Sequence, residues 1–164
     1  MTPSPKTIQI YLPGGDPRGI RVAELTTRIV QVIEVPRSLL PTFLAMPEST
    51  QVAVYFLVGE SDDGTERRVY VGQSGDLPTR LKDHNKAKPF WQRALVMVSR
   101  THSLTQTHAL FLEWHSLQAI RAAGFCAVSW HEPVLEQADI DARAEGYWEG
   151  YVHNCMSVNL VCER

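Results

Sequence analysis

The chain reads as an α+β domain, a small central antiparallel β-sheet flanked by helices, with an N-terminal β-meander as an extension. Three observations carry this reading. Alternating or β-branched runs recur through residues 6–73, turns rich in Gly, Pro and Asp separate them, and an amphipathic helical pattern becomes long only over 105–123. Runs of strands followed by helices point to an antiparallel sheet rather than to repeated βαβ units.

Taken in order, KTIQIYL (6–12) alternates as a strand does, PGGDPRG is a turn, and IRVAEL and RIVQVIEV supply two further β-branched runs. In VPRSLLPTFLAMP, Ser38 is positioned to cap a short helix that places Leu39, Leu40, Phe43 and Leu44 on one side, and Pro47 ends it. QVAVYFLVG and RRVYVGQ, joined by the polar loop ESDDGTE, give the clearest hairpin signal. Asp76 can then cap a helix from about Leu77 to His84, with Pro78 harmless in its first turn and Arg80 and His84 on one face. ALVMVS (94–99) has the length of a buried strand, and Gly124 closes the long helix as a C-terminal cap. FCAVSW begins a further strand. The expected organisation is an N-terminal β-rich extension over 1–50, a principal domain over 51–124, and a C-terminal segment over 125–164 that packs on it or trails it.

Composition narrows the function classes. At 164 residues the chain is long enough to bury a core without staples. No apolar run is long enough to span a bilayer, and MTPSPKTIQI lacks the features of a secretory signal, so the cytoplasm is the expected compartment. Cys126, Cys155 and Cys162 show no CxxC spacing and are expected to be reduced structural thiols. The net charge of −2 is unevenly spread: residues 67–100 hold eight basic against two acidic side chains. A local excess of this kind suits a phosphate-bearing partner, although a charge run also serves as an ordinary solvated face.

The long helix carries the most informative residue. Leu110, Trp114 and Leu117 follow a core-facing spacing, and Glu113 falls inside the same stripe. An ionised carboxylate there needs a cationic partner, a metal ion or a raised pKa; a salt bridge at the rim of the core meets the need as well as a functional site does. Tyr55 in its strand is by itself a packing residue, and Arg80 with His84 could line an exposed helix face. His102, His108, His115, His131 and His153 form no metal-ligand spacing. Phe90 and Trp91, beside Lys86 and Lys88, could stack on bases, with a core role expected for at least one ring.

The ordered set AVY (53–55), YVG (70–72), QSGDLPTRLKDH with Arg80 and His84, and FLEWHSLQAI with Glu113 resembles the GIY-YIG nuclease superfamily over residues 52–124. Ala53 replaces a glycine, Val71 stands in the middle of the second tripeptide, and Gln73 stands where many members carry lysine. Residues 7–37 also resemble a leader that precedes this domain in some bacterial proteins. The resemblance implies a small antiparallel sheet flanked by helices that hydrolyses DNA phosphodiester bonds with one divalent metal, Mg²⁺ or Mn²⁺, held by Glu113. It further implies that Tyr70 takes a proton from the attacking water, Arg80 grips the phosphate, Tyr55 hydrogen-bonds within the site, and His84 orients Tyr70 or contacts phosphate. Gly72, Gln73, Lys82, Lys86 and Lys88 are the candidate substrate-binding positions. One metal site makes one cut, so breaking both strands requires a homodimer, two binding events or a single-stranded substrate. The alternatives are a noncatalytic nucleic-acid-binding module with the same fold and a protein-interaction domain, the latter favoured by the acidic stretch over 132–149.

Overall fold

The computed structural model describes residues 5–124 and 127–129. The predicted hairpin forms from β4 (Ala53–Glu60) and β5 (Arg67–Ser74), in a register that sets Tyr55 opposite Gly72 and Leu57 opposite Tyr70. β6 (Trp91–Ser99) pairs with the other side of β4 and also with β3 (Val30–Pro36) over seven positions. Through β3 the meander β1 (Ile8–Tyr11) and β2 (Arg21–Leu25) joins the same sheet. Six strands are mutually antiparallel, and β7 (Ala127–Ser129) runs parallel to β5, giving the order β1-β2-β3-β6-β4-β5-β7 among the described residues. The expected α+β architecture is therefore present.

Strand alternation divides the core into two layers. On one face Val32, Val54, Phe56, Val71 and Met97 meet Ala109, Leu112 and Leu117 of α3 (Gln106–Ala123). On the other, Ile33, Val35, Tyr55, Leu57, Tyr70 and Val96 meet Leu40 and Phe43 of α1 (Leu40–Leu44) and Leu77 and Leu81 of α2 (Leu77–Ala87). The two tyrosines thus face α2, while Glu113 arrives on the helix that packs the opposite face. Glu34, itself buried, accepts from Arg21 and from Arg93 at 3.2 Å, tying β2, β3 and β6 together.

Several local expectations hold. Asp76 Oδ1 accepts from the Thr79 N–H, and Gly124 takes the left-handed cap conformation at φ 69°. Others differ for identifiable reasons. Ser38 does not cap α1: it lies within a 3-10 turn over Arg37–Leu39, and the helix starts after Leu39 with no side-chain cap. α2 continues to Ala87, because no breaker intervenes before Pro89; that proline biases Lys88 to the extended conformation seen there. The buried stripe of α3 is rotated from the expected one, running through Ala109, Leu112, Glu113 and Leu117, with Leu110 and Trp114 half-buried at its border. Trp91 is fully buried and Phe90 packs partly against the same cluster, so these rings serve the core. Apart from β7, residues 125–164 lie outside the described residues, and with them Cys126, Cys155, Cys162, His131, His153 and the acidic stretch. No helix among the described residues is long and apolar enough to cross a membrane.

The β4–β6 pairing is irregular at Gly59, which sits opposite Trp91 after Val58 pairs with Arg93. A Cβ at position 59 would overlap the carbonyl of Phe90, its carbon lying at 2.8 Å. Backbone cannot swing aside as a flexible side chain can. Gly59→Ala is therefore expected to destabilise the fold by about 3 kcal/mol; an unchanged midpoint in urea denaturation would contradict this packing.

Candidate active site

Four elements bring five polar side chains together. Tyr55 comes from β4, Tyr70 from β5, Arg80 and His84 from α2, and Glu113 from α3. The side chains of Tyr55, Tyr70, His84 and Glu113 belong to residues only 1%, 3%, 4% and 6% exposed, whereas Arg80 is exposed at the rim. Polar groups enclosed to this degree need partners.

The partners form a chain. The Tyr55 hydroxyl and His84 Nε2 lie 2.8 Å apart. A further hydrogen bond links the two tyrosines and favours the phenolate of Tyr70 over that of Tyr55. His84 hydrogen-bonds to Tyr55, while its ring packs against Tyr70 with centroids 4.7 Å apart. Gly72 has a packing reason to be glycine, since a Cβ there would lie 2.6 Å from the Tyr55 oxygen and 3.0 Å from a Tyr70 ring carbon.

Glu113 reaches this group around the edge of the sheet. Among the described residues β7 pairs with β5 from Arg68 to Tyr70, and further along β5 the Gln73 N–H donates to the Glu113 carboxylate. Burial pushes the Glu113 carboxyl up to about 7, against the opposing influence of the Arg80 guanidinium and the Gln73 N–H. Burial likewise raises Tyr70; Arg80 counteracts this and Glu113 adds to it. Tyr55 is raised well above an ordinary phenol, first by burial and next by Tyr70, with Arg80 again opposing. These mutual influences place the guanidinium, the carboxylate and both phenols in one electrostatic neighbourhood.

The remaining candidates separate. Lys88, half-buried, sets its ammonium 4.4 Å from the centroid of the Tyr70 ring, an attraction that strengthens if the phenol ionises. Lys82 and Lys86 lie on the exposed side of α2, one helical turn apart. The Gln73 side chain is hydrogen-bonded to Gln106 at the start of α3, so its backbone rather than its amide serves Glu113. Of the basic residues between 67 and 100, Arg68, Arg93 and Arg100 have carboxylate neighbours in ion pairs, Arg67 lies on β5, and Arg80, Lys82, Lys86 and Lys88 lie on α2 and just after it. Arg37 was not singled out from sequence; it bridges that segment, and its bonds span 48–54 residues, beyond the reach of any local pattern.

Among the described residues no group of three or more His, Cys, Asp or Glu side chains converges as a metal cage. The donor at hand is one carboxylate, which suits a hard cation that keeps its waters and shares substrate phosphates. His102 is exposed, His108 takes part in the α3 capping box, and His115 packs beside Phe111. A surface groove lined by Tyr11, Val22, Glu24, Met46 and Glu48 lies at the far end of the sheet and is bordered by none of the five site side chains. No protein-family model, curated protein or solved structure matches the chain.

The raised Glu113 pKa has a definite consequence for stability. Because the fold favours the protonated acid, its contribution is present below the ordinary value of 4.5 and is lost as pH rises through about 7. Glu113→Gln retains an acceptor for the Gln73 N–H but carries no charge. Its Tm should match the native protein's near pH ~4 and exceed it by roughly 5 °C near pH ~8; parallel curves across that range would contradict the burial of an ionisable acid.

Proposed function

We propose that the protein is a divalent-metal-dependent endonuclease of the GIY-YIG type that hydrolyses DNA phosphodiester bonds, in keeping with a cytoplasmic location. The observation that carries this reading is the convergence of Glu113, Tyr70 and Arg80 from three separate elements, around the Tyr55–His84 hydrogen bond. A structural ion pair would explain Glu113 with Arg80. It would not explain why two buried phenols and an imidazole complete the cluster.

Each residue has a role suited to its setting. Arg80, exposed and always charged, grips phosphate oxygens and offsets the negative charge that grows as the water attacks. Tyr70 in its phenolate form takes the proton of that water while the oxygen bonds to phosphorus and the bond to the leaving sugar oxygen breaks. The hydrogen bond with Tyr55, itself bonded to His84, favours the Tyr70 phenolate against the opposing effect of burial. Glu113 would hold Mg²⁺ or Mn²⁺ in its carboxylate form. When bound, such a cation polarises the phosphate and stabilises the departing oxygen. Lys82 and Lys86 extend the positive surface for the flanking strand.

A noncatalytic nucleic-acid-binding module is the second reading, favoured by the single carboxylate and its retention of a proton up to about pH 7. Plasmid and single-stranded DNA incubated with Mg²⁺ or Mn²⁺ distinguish the two. The nuclease is expected to nick or cut, with activity reduced at least ~100-fold in Glu113→Ala and by ~10²–10³-fold in Arg80→Ala. The arginine variant should also bind DNA more weakly. Binding without cutting by the native protein would support the module, and neither binding nor cutting would leave a protein-interaction role.

A further inference from the structure

The segment between α2 and β6 is held by a residue from the N-terminal extension. Arg37 donates through Nε to Asn85 Oδ1 at 2.8 Å and through its two terminal nitrogens to the carbonyls of Asn85 (2.7 Å), Pro89 (2.7 Å) and Trp91 (3.0 Å). Its guanidinium also lies 4.7 Å from the centroid of the Trp91 ring. One side chain therefore grips the last turn of α2 and the start of β6 together.

Two members of the site flank or lie within the gripped stretch. His84, bonded to Tyr55, immediately precedes Asn85; Lys88, whose N–H donates to the His84 carbonyl at 2.9 Å, lies between Asn85 and Pro89 and rests over Tyr70. A lysine side chain has several freely rotating bonds, so its ammonium remains over one ring only if its backbone is held. Pro89 restricts Lys88 locally, but the segment's place relative to the sheet depends on contacts at both ends.

We propose that Arg37 is a positioning residue for the site: by clamping residues 85–91 it seats the Lys88 ammonium on Tyr70, so the N-terminal extension is a working part of the active site. This rests on the nuclease reading for its catalytic consequence, though not for its structural one. The planar fork of arginine is needed because four acceptors, on α2, on β6 and in the linker between them, are engaged at once; a lysine offers a single point charge.

The test has one readout in the free protein and another in catalysis. Protons over an aromatic face are shifted upfield in NMR, so the Lys88 ε-methylene should carry a ring-current shift that Tyr70→Leu abolishes. Arg37→Ala and Arg37→Lys, studied well below their Tm, should lose this shift, while Ser38→Ala should keep it. Single-turnover cutting should fall at least ~10-fold in both Arg37 variants with less than ~2-fold change in DNA Kd, a split that a general loss of stability would not produce. Should either variant fail to fold, Asn85→Ala removes only the Nε contact and should weaken the shift in a folded protein. A ring-current shift retained in a folded Arg37 variant would overturn the proposal, as would an unchanged cutting rate in a variant that had lost it. A shift lost in the variants while the native protein cuts nothing would instead overturn the nuclease reading and leave the clamp standing.

Discussion

A carboxylate enclosed among phenols and apolar side chains is unfavourable unless something compensates it. At Glu113 the compensation is one peptide N–H, from Gln73, and one guanidinium, from Arg80. Neither suffices to restore an ordinary pKa, and the carboxyl is left able to exchange its proton near neutrality. The surrounding architecture follows from bringing these groups together. The β4–β5 hairpin must place Tyr55 and Tyr70 toward α2, and α3 must bring Glu113 to the Gln73 N–H of β5.

The sheet accomplishes this by putting the site where its two layers meet. α2 supplies the cation and the imidazole from one face, and α3 supplies the acid from the other. Gly72 permits the close crossing of the tyrosines between them. On the proposed nuclease reading, this arrangement leaves one charged residue, Arg80, exposed to meet the phosphate, while the groups whose protonation matters remain in a medium of low polarity. Their mutual electrostatic effects are correspondingly strong.

Much of this was legible in the residues, and the parts that were not share a cause. Alternation identified the hairpin, Asp76 and Gly124 marked helix ends, and a carboxylate at a core spacing pointed to Glu113; each is a local signal. Ser38 failed as a cap because a proline-bounded 3-10 turn competes with the helix start. The α3 stripe was misplaced by one position in rotation because Leu110 and Trp114 are apolar yet sit at its border. The Tyr55–His84 bond and the Arg37 clamp join residues 29 to 54 positions apart, the β3–β6 pairing joins residues 57 to 69 apart, and periodicity carries no information about such pairings.

The most direct measurement is the response of the free protein's NMR spectrum to Mn²⁺, whose unpaired electrons broaden nearby resonances. If Glu113 is the seat of the cation, the Gln73 amide and the Tyr55 and Tyr70 ring signals should broaden selectively near pH ~8, and remain sharp in a folded Glu113→Gln protein. Equal broadening in both proteins, or none in the native one, would contradict the assignment of this buried carboxylate to a metal-assisted site.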